Sequence, residues 1–583
     1  MERLLVRALH SEMRSNFVFR IRLILGVILF VAFILLIRLY FVQIVHGEDF
    51  SIQADHQYVR PNQNLFDRGS IFFEDKDGRL VSGATLKAGF TVSINPKLLK
   101  DTKYAYEKLS EIIKLDEGDF FSRAGKVDDP YEEIAKRVSQ EDGIKIDELN
   151  IEGVQIYKER WRFYPGGNLA SQTIGFMAFS GDELSGRYGL ERYYNDTLSR
   201  NSDSLYVNFF AEIFSNLNKT LFKSEDSGEG DLVTTIEPSV QLFLEQKLEE
   251  IGSRWNSSKS AGIIINPQNG EIYAIGLYPS FDINRFQEEE DSQIFSNILV
   301  EGVYEMGSII KPLTIAAGLD SGAITSETTY YDNGYVTLDG SKISNFDGKG
   351  RGRVEIQEIL NQSLNTGVSF VVEEMGTNVF REYMLSYGIG EETGIDLPNE
   401  AAGLVDNLNS PRTLEYATAS FGQGIAMTPI ATVRALSSLA NGGKLITPHL
   451  VKRIKYKSGL SKTISYVDGR DVLKKATSEE ITRMLVNVVD EALLGGTVSF
   501  ENYSVAAKTG TAQIANTEER GYYDDRFLHS FFGYFPAYDA EFLIFLFTLE
   551  PKEEVRYASQ TLTHPFIDTV NFLINYYDVP PDR

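Results

Sequence analysis

The chain has 583 residues, 43% of them hydrophobic, which predicts roughly two to four folded domains and excludes disorder along the whole chain. Its formal net charge of −25 argues against nucleic acid as a partner and against broad binding to anionic lipid. The absence of cysteine excludes disulfides, thiolate zinc sites and cysteine nucleophiles.

The first predicted element is an uncleaved membrane anchor at residues 23–45. The run is apolar apart from Arg38 and is long enough to span about 30 Å of hydrocarbon. Several arginines precede it, so residues 1–22 are expected to form a cytoplasmic tail. A cleaved signal peptide is the alternative, but the run is long and no A-x-A-like site follows it. We therefore expect a single-pass inner-membrane protein with its remaining mass outside the cytoplasm.

Residues 46–230 are predicted to form a non-catalytic α+β module. The patterning is irregular, with a strand-like run at 89–96 and amphipathic helices predicted at Tyr106–Ile113 and Tyr131–Val138. A polar, glycine-rich stretch at 224–230 is typical of a linker, and it sets the predicted boundary with the next domain.

Residues 231–583 are predicted to form a compact α+β domain. A hairpin is indicated by two apolar runs joined at Asn269-Gly270. A helix should begin near Ser308 and end near Gly322, because Pro312 is tolerated only in a first turn. Three later strand-like runs, 503–515, 528–536 and 540–550, suggest an antiparallel meander, and 564–577 a closing amphipathic helix. These elements predict one sheet assembled from segments that are distant in the chain.

Three short motifs indicate chemistry. Ser308-x-x-Lys311 alone is weak evidence, because a helix-capping serine followed by a surface lysine gives the same pattern. Ser363-x-Asn365 and a Lys508-Thr-Gly-Thr run follow it in order. S-x-x-K, S-x-N and K-T-G in this order form the active-site signature of serine penicillin-binding proteins and β-lactamases. The set therefore predicts a serine acyl-transfer enzyme.

The residue types explain the expected nucleophile. A serine hydroxyl is a weak nucleophile and needs a base, which Lys311 can supply from one helical turn away. Burial and a nearby cation, Lys508, would both favour the neutral amine that can accept a proton. Ser363 could then relay that proton to the leaving amine.

The remaining motif residues are expected to bind substrate. Asn365 would hold a substrate amide, and Lys508 with Thr509 would bind a terminal carboxylate. Gly510 and Thr511 continue the same strand, beside which an extended peptide could pair. The backbone N–H groups of Ser308 and Thr511 would form an oxyanion hole.

Beyond these motifs, the chain resembles class B penicillin-binding proteins over nearly its whole exported length. The segments that carry the resemblance are RLYFVQIVHGEDF (38–50), DRGSIFFEDKDGRLV (67–81), RFYPGGNLASQTIGFM (162–177), GRYGLERYYNDTL (186–198), TTIEPSVQ (234–241), YPSFDINRF (278–286), GIDLPNEAAG (394–403) and FGQGIAMTPIATVRALSSLANGG (421–443).

The resemblance implies a peptidoglycan D,D-transpeptidase for cell-wall synthesis, in which Ser308 is acylated by a donor ending in D-Ala-D-Ala and by β-lactam antibiotics. It implies a multidomain α+β fold. A cytoplasmic tail (1–22), a transmembrane helix (23–45) and an extended pedestal of the dimerisation type (46–230) precede a transpeptidase domain (231–583) with a central antiparallel sheet and helices on both faces. Expected partners are stem peptides on lipid-linked precursors and a polytopic glycosyltransferase of the SEDS class. No cofactor and no metal are implied.

Alternatives remain open at this stage. A D,D-carboxypeptidase differs from a transpeptidase only in its acceptor, which the sequence does not decide. A catalytically weak sensor or scaffold is disfavoured, because such a protein would be free to lose Lys311, which is present here. A bifunctional class A protein is disfavoured because the stretch after Glu48 does not continue the glycosyltransferase pattern. A β-lactamase is disfavoured because the run at 358–361 precedes the middle motif and is better interpreted as ordinary helix. The role in elongation, division or sporulation is undecided, although Asn365 in place of aspartate slightly favours division or a general role.

Overall fold

The computed structural model describes residues 33, 35, 38 and 66–583, except 182, 201–227, 458, 467–468, 517–518, 520 and 553–554. Most of the predicted anchor, the cytoplasmic tail and most of the predicted linker therefore lie outside the described residues. Within the part described, no helix combines the length and apolar character that a membrane crossing requires.

The chain forms two compact units. Among the described residues, the smaller includes Ala88–Trp161, and the larger includes Asp67–Lys87 and the described residues of Arg162–Arg583. The units do not follow the predicted boundary at residue 230, because 67–87 and the described residues of 162–230 belong to the larger one. The functional division proposed from the sequence stays a prediction.

The described part of the smaller unit packs three helices against strands. Its helices are Thr102–Ser110, Glu117–Ala124 and Gln140–Glu148, and its strands are Glu132–Val138, most of Val154–Phe163 and the second half of Leu80–Ile94. The first helix begins before the predicted Tyr106 because the Asp101 side chain caps it, accepting from the Tyr104 N–H at 2.9 Å.

The helix predicted at Tyr131–Val138 is wrong. Residues Glu132–Val138 form a strand that pairs antiparallel with Leu80–Ile94, placing Val138 opposite Phe90. Ile134 and Val138 are spaced four apart, which fits one face of a helix and equally one face of a strand. Pairing with a neighbouring strand decided between the two, as tertiary context often does.

The larger unit contains most of the regular structure. Its other strands are Ile71–Glu74, Met177–Ser180, Glu183–Gly186, Gly230–Thr234, Lys259–Ile265, Ile272–Tyr278, Thr329–Asp332, Tyr335–Leu338, Ser341–Ser344, Gly352–Glu355, Lys444–Leu445, Val451–Tyr456, Ser461–Thr463, Arg470–Asp471, Ala506–Ala515, Tyr522–Phe535 and Phe542–Leu549. Its α-helices are Ser171–Ile174, Gly189–Tyr193, Asn195–Leu198, Pro238–Arg254, Ile298–Glu301, Lys311–Ser321, Ile356–Asn361, Asn365–Met375, Thr377–Ser386, Thr413–Ala419, Pro429–Ala440, Lys475–Asn487, Ala558–Thr561 and Thr563–Tyr577.

A five-stranded antiparallel sheet organises this unit. Its order is Ala506–Ala515, Tyr522–Phe535, Phe542–Leu549, Lys259–Ile265 and Ile272–Tyr278. The predicted meander and hairpin are therefore confirmed, as is the assembly of one sheet from distant segments. The strand Ala506–Ala515, called the Lys508 strand below, lies at one edge.

Helices cover both faces of the sheet. Along its strands, alternate residues divide between two apolar clusters, with Phe531 and Ile544 in one and Phe532 and Phe545 in the other. The first cluster includes residues of helices Pro238–Arg254 and Thr563–Tyr577. The second includes residues of Lys311–Ser321 and Pro429–Ala440. A sheet buried on both sides gives its edge strand a rigid position beside the site.

Candidate active site

Ser308 lies in a tight turn that leads directly into a helix. The turn is a 3₁₀ helix, Gly307–Ile310, and the α-helix Lys311–Ser321 follows with Pro312 in its first turn. The helix ends at Gly322, whose φ of 78° is left-handed. The prediction of a helix between Ser308 and Gly322 is confirmed.

Close backbone contacts fix this turn against the Lys508 strand. Gly307 has a φ of 66° and donates its N–H to the carbonyl of Gly422 at 3.1 Å. The buried Ser530 hydroxyl donates to the carbonyl of Met306 at 2.9 Å. A Cβ added to Gly510 would lie only 2.4 Å from the Ser530 hydroxyl oxygen and 2.9 Å from the backbone carbonyl oxygen of Met306, next to the turn. Glycine is therefore needed at 510 for the strand to approach the turn.

Two lysine ammonium groups converge on one serine hydroxyl. Lys311 is 0% exposed, and its Nζ donates to the carbonyl and to the Oγ of Ser363 at 2.6 and 3.1 Å. Lys508 is 3% exposed, and its Nζ donates to the same Oγ at 3.2 Å and to the Thr509 carbonyl at 3.0 Å. No carboxylate among the described residues forms an ion pair with either lysine.

Burial changes the protonation of both amines. It lowers the pKa of Lys311 well below the ordinary range, and the positive charge of Lys508 lowers it further. Burial also lowers the pKa of Lys508, to about 8. At neutral pH, Lys311 is the amine that can be neutral and accept a proton, while Lys508 remains mostly charged.

The middle motif is held in an uncommon conformation. Ser363 has a φ of 52°, a left-handed value that costs a non-glycine residue about 1 kcal/mol or more. Two residues later, Asn365 begins the helix Asn365–Met375, and its Nδ2 donates to the Ser344 carbonyl at 2.9 Å. No described residue donates to the Asn365 Oδ1, so that oxygen can accept from a ligand.

These groups border a cleft of about 810 Å³. The predicted site residues that line it are Ser308, Ser363, Asn365, Lys508, Thr509 and Thr511. Lys311 is buried beside them and Gly510 lies within the Lys508 strand. The three motifs, distant in sequence, thus meet in one place.

One predicted contact differs. The expected hydrogen bond from the Ser308 hydroxyl to Lys311 is not among the bonds that the described residues form. The Lys311 Nζ instead donates to both oxygens of Ser363. Two of its N–H donors are therefore satisfied within the protein.

Sequence reasoning missed the residues that support the turn. Gly422 and Ser530 contact the backbone of Gly307 and Met306, and no motif signals such a role. A long-range contact between a serine side chain and a backbone carbonyl leaves no local pattern. Gly422 does lie in the FGQG run that carries the resemblance, which was the one available signal.

Two further features have ordinary structural roles. His529 is fully buried, with its ring nitrogens bonded to the Thr561 hydroxyl at 3.0 Å and the Arg556 carbonyl at 3.2 Å. Burial lowers the pKa of His529 to about 4, so this histidine is a neutral core residue. Residues 358–361 lie within the helix Ile356–Asn361, as predicted.

Comparison with known proteins gives family matches to both parts of the chain. The family described as "Penicillin binding protein transpeptidase domain" matches residues 261–570, and that described as "Penicillin-binding Protein dimerisation domain" matches 66–220. Stage V sporulation protein D of Bacillus subtilis is 29% identical over 95% of this chain and 85% of its own length. Peptidoglycan D,D-transpeptidase MrdA of Acinetobacter baumannii is 26% identical over 90% of this chain and 84% of its own length.

Solved structures share the fold. Penicillin Binding Protein 2X of Streptococcus thermophilus superposes with a TM-score of 0.72 at 19% identity, covering 88% of this chain and 81% of that one. Penicillin binding protein 3 of Mycobacterium tuberculosis, complexed with aztreonam, gives a TM-score of 0.67 at 19% identity over 89% and 98% of the two chains. At these identities the similarity establishes the architecture.

Proposed function

Because the chain belongs to the penicillin binding protein transpeptidase family, we propose that it is a peptidoglycan D,D-transpeptidase acting through an acyl-enzyme on Ser308. The observation that carries this proposal is the pair of buried lysines that share the Ser363 hydroxyl in the cleft lined by Ser308. Burying two amines without a carboxylate partner costs folding free energy. That cost is more readily explained by a role in catalysis than by a purely structural one.

Acylation begins when the Ser308 Oγ attacks the carbonyl carbon of the penultimate D-Ala. Neutral Lys311 accepts the hydroxyl proton, directly or through the Ser363 hydroxyl. The tetrahedral oxyanion is stabilised by the backbone N–H groups of Ser308 and Thr511. When the intermediate collapses, the peptide C–N bond breaks and the proton passes through Ser363 to the nitrogen of the departing D-Ala. An ester on Ser308 remains.

Deacylation repeats these steps with a different nucleophile. An amine of a neighbouring stem peptide attacks the ester carbonyl, and Lys311, again neutral, accepts a proton from that amine. The ester C–O bond breaks, Ser308 recovers its proton, and a new peptide bond joins the two strands. A β-lactam would acylate Ser308 by the same route. Its ring C–N bond breaks, but the departing amine stays covalently attached to the acyl group and so cannot diffuse out of the cleft.

The donor peptide is expected to lie in extended form along the outer side of the Lys508 strand. No described strand pairs with that side, so its backbone groups can pair with a peptide. The free Oδ1 of Asn365 accepts from a substrate amide N–H. The charged Lys508 and the Thr509 hydroxyl bind the terminal carboxylate, which places the scissile bond beside Ser308.

The competing function is a D,D-carboxypeptidase, in which water replaces the acceptor amine. The test incubates the full-length protein in detergent with a donor ending in D-Ala-D-Ala, with and without an acceptor amine, and measures cross-linked and hydrolysed products. We expect cross-linked product to dominate when acceptor is present, and neither product with Ser308→Ala. Hydrolysis that exceeds cross-linking at saturating acceptor would favour the carboxypeptidase. Turnover by Ser308→Ala would refute the proposed nucleophile.

Location and partners are further parts of this proposal. Residues 23–45 would anchor the protein in the inner membrane with the N-terminus in the cytoplasm, and the catalytic unit would act on lipid-linked precursors outside it. A glycosyltransferase of the SEDS class would supply the glycan strands. Arg38 within the apolar run is better accommodated by a protein partner than by lipid. Normal co-purification of such a partner with Arg38→Leu would remove this support.

A further inference from the structure

The described residues that line the cleft carry a charge opposite to that of the whole chain. The chain carries a net charge of −25, yet the described residues that line the cleft include no aspartate and no glutamate. Four cationic side chains line it: Lys342, Arg351, Lys508 and Arg556. A cleft lined by one sign of charge attracts and retains ligands of the other sign.

Two of these four cations already have an assignment. Lys508 belongs to the reacting centre. Arg351 is neutralised by Asp347, which accepts from both of its terminal nitrogens at 2.8 and 3.0 Å, and its Nε donates to Gln362 at 2.9 Å. A bidentate pair of this kind leaves little charge for a ligand. The uncompensated charge in the outer cleft therefore comes from the other two residues.

Lys342 and Arg556 have aromatic neighbours in place of anionic ones. The Lys342 Nζ lies 4.2 Å from the centre of the Tyr335 ring, and the Arg556 guanidinium lies 5.9 Å from that of Tyr557. No carboxylate in the described part of the chain forms an ion pair with either. Cation–π contacts orient a cation and leave its hydrogen-bond donors available.

These two cations line the same cleft as Ser308, on segments that are hydrogen-bonded to the motif residues. Lys342 belongs to the strand Ser341–Ser344, whose last carbonyl accepts from Asn365. Arg556 precedes Ala558, whose N–H donates to the Thr511 hydroxyl at 3.0 Å.

The same two segments also contact each other through aromatic rings. Phe346 and Tyr557 meet edge to face, with ring centres 5.8 Å apart at 80°. This contact holds the segments that carry Lys342 and Arg556 in a defined relation at the cleft.

We propose that Arg556 and Lys342 form a second carboxylate subsite in the outer cleft. It takes an anionic side chain of the peptide donor, located before the D-Ala-D-Ala end, whereas Lys508 and Thr509 take the terminal carboxylate. The inference deepens the proposed function and rests on it.

The test compares two donor peptides that both end in D-Ala-D-Ala and differ only in one inner side chain, a carboxylate or the matching carboxamide. Cross-linking is measured as kcat/KM with the full-length protein at low salt. We expect the wild type to prefer the carboxylate donor about tenfold, the value of one charge-assisted contact. Arg556→Gln and Lys342→Gln should each reduce that preference to about twofold, and Arg556→Lys should keep most of it. Because both cations are exposed, high salt should also weaken it.

The matched control is Arg285→Gln, which removes an exposed arginine outside the cleft lining and should keep the full preference. A wild-type enzyme that cross-links both donors equally, or a preference that survives in Arg556→Gln, would overturn the subsite and leave the proposed function intact. If neither donor acylates Ser308 in the wild type, the proposed function itself is refuted.

Discussion

Two clusters of buried ionisable side chains in the larger unit differ in the charge of their partners. In the first, Glu191 is completely buried and accepts from the Nε of Arg68 at 2.7 Å and from that of Arg162 at 2.5 Å. Burial alone would raise the pKa of Glu191, but the two guanidiniums hold it below the ordinary range. In the second, Lys311 and Lys508 are buried with serine and backbone oxygens as their partners.

The difference separates a structural cluster from a reactive one. A buried charge with opposite charges beside it stays charged and cannot exchange a proton near neutral pH. A buried amine without a carboxylate gives up its proton more readily, and burial together with the charge of Lys508 lowers the pKa of Lys311 well below its ordinary value. The second cluster therefore costs stability, and we propose that it supplies the base for the reaction. Substitutions in the two clusters should have opposite consequences.

The largest effect is expected for Lys311→Met, which removes the proposed base and keeps most of the length of the side chain. The rate at which a penicillin acylates Ser308 should fall about 10³- to 10⁴-fold. The free energy of unfolding should change by no more than about 1 kcal/mol, because relief of the buried amine offsets the lost hydrogen bonds. Acylation is followed with a fluorescent penicillin, and unfolding through the intrinsic fluorescence of Trp161 and Trp255.

The control for that variant is Lys475→Met, an exposed lysine that should leave both quantities unchanged. An acylation rate within tenfold of the wild type in Lys311→Met would show that another group removes the serine proton.

The reverse pattern is expected for Glu191→Gln. Loss of the carboxylate leaves two guanidiniums buried without a charge partner, so the larger unit should lose about 3–5 kcal/mol of stability, measured by urea unfolding. Acylation by the folded fraction should stay within about twofold of the wild type. Glu479→Gln, at an exposed ion pair, should change stability by less than about 0.5 kcal/mol. Similar stability of the two variants would argue against a structural role for the Arg68–Glu191–Arg162 cluster.

The pH dependence should report Lys508. Burial lowers the pKa of Lys508 to about 8, so the charge that we propose binds the donor carboxylate is lost as pH rises through that value. The kcat/KM for a carboxylate-terminated donor should fall about tenfold per pH unit above it. Lys508→Arg should remove this alkaline decline, because arginine stays charged above pH 12. A decline that persists unchanged in Lys508→Arg would assign it to another group.

The same group has a linked effect on stability. The pKa of Lys508 is near its usual 10.5 in the unfolded chain and about 8 in the folded protein. Between those values the unfolded state binds more protons, so the contribution of Lys508 to stability rises with pH across that window. Lys508→Arg should lack that rise, which urea unfolding at pH 7.5 and 10 can measure.

The smallest effect is expected for Ser530→Ala, which removes the hydrogen bond to the Met306 carbonyl. The loss of one buried bond should cost about 0.5–1.5 kcal/mol of stability. Acylation should slow by only a few fold, because the turn at Ser308 keeps its contact with Gly422. Fluorescent-penicillin labelling in a time course measures this change. A loss comparable to that of Lys311→Met would mean that Ser530 takes part in the chemistry.

The sequence allowed the reacting residues to be predicted because each belongs to a short motif. Ser308, Ser363 and Lys508 were predicted together, because three motifs that are weak evidence one by one occur in the expected order. The partner of Lys311 could not be predicted, since the positions of its oxygens depend on the left-handed conformation of Ser363. Backbone conformation of that kind is set by tertiary packing.

The buried cluster of two arginines and a glutamate could not be predicted from the sequence for the same reason. Arg68, Arg162 and Glu191 lie in separate segments, and as a charged set they have the composition of an exposed surface. Only the fold shows that they are buried together. The strand at Glu132–Val138 was mistaken for a helix because its apolar spacing fits both periods and its pairing partner lies far away in sequence.

The most direct test of the account is the intact mass of the full-length protein after treatment with benzylpenicillin, followed by peptide mapping. The wild type should gain one penicilloyl group on the peptide that contains Ser308, and Ser308→Ala should gain none under the same conditions. An adduct of equal yield in Ser308→Ala, or one that maps to Ser363 in the wild type, would contradict the assignment of Ser308 as the nucleophile served by the two buried lysines.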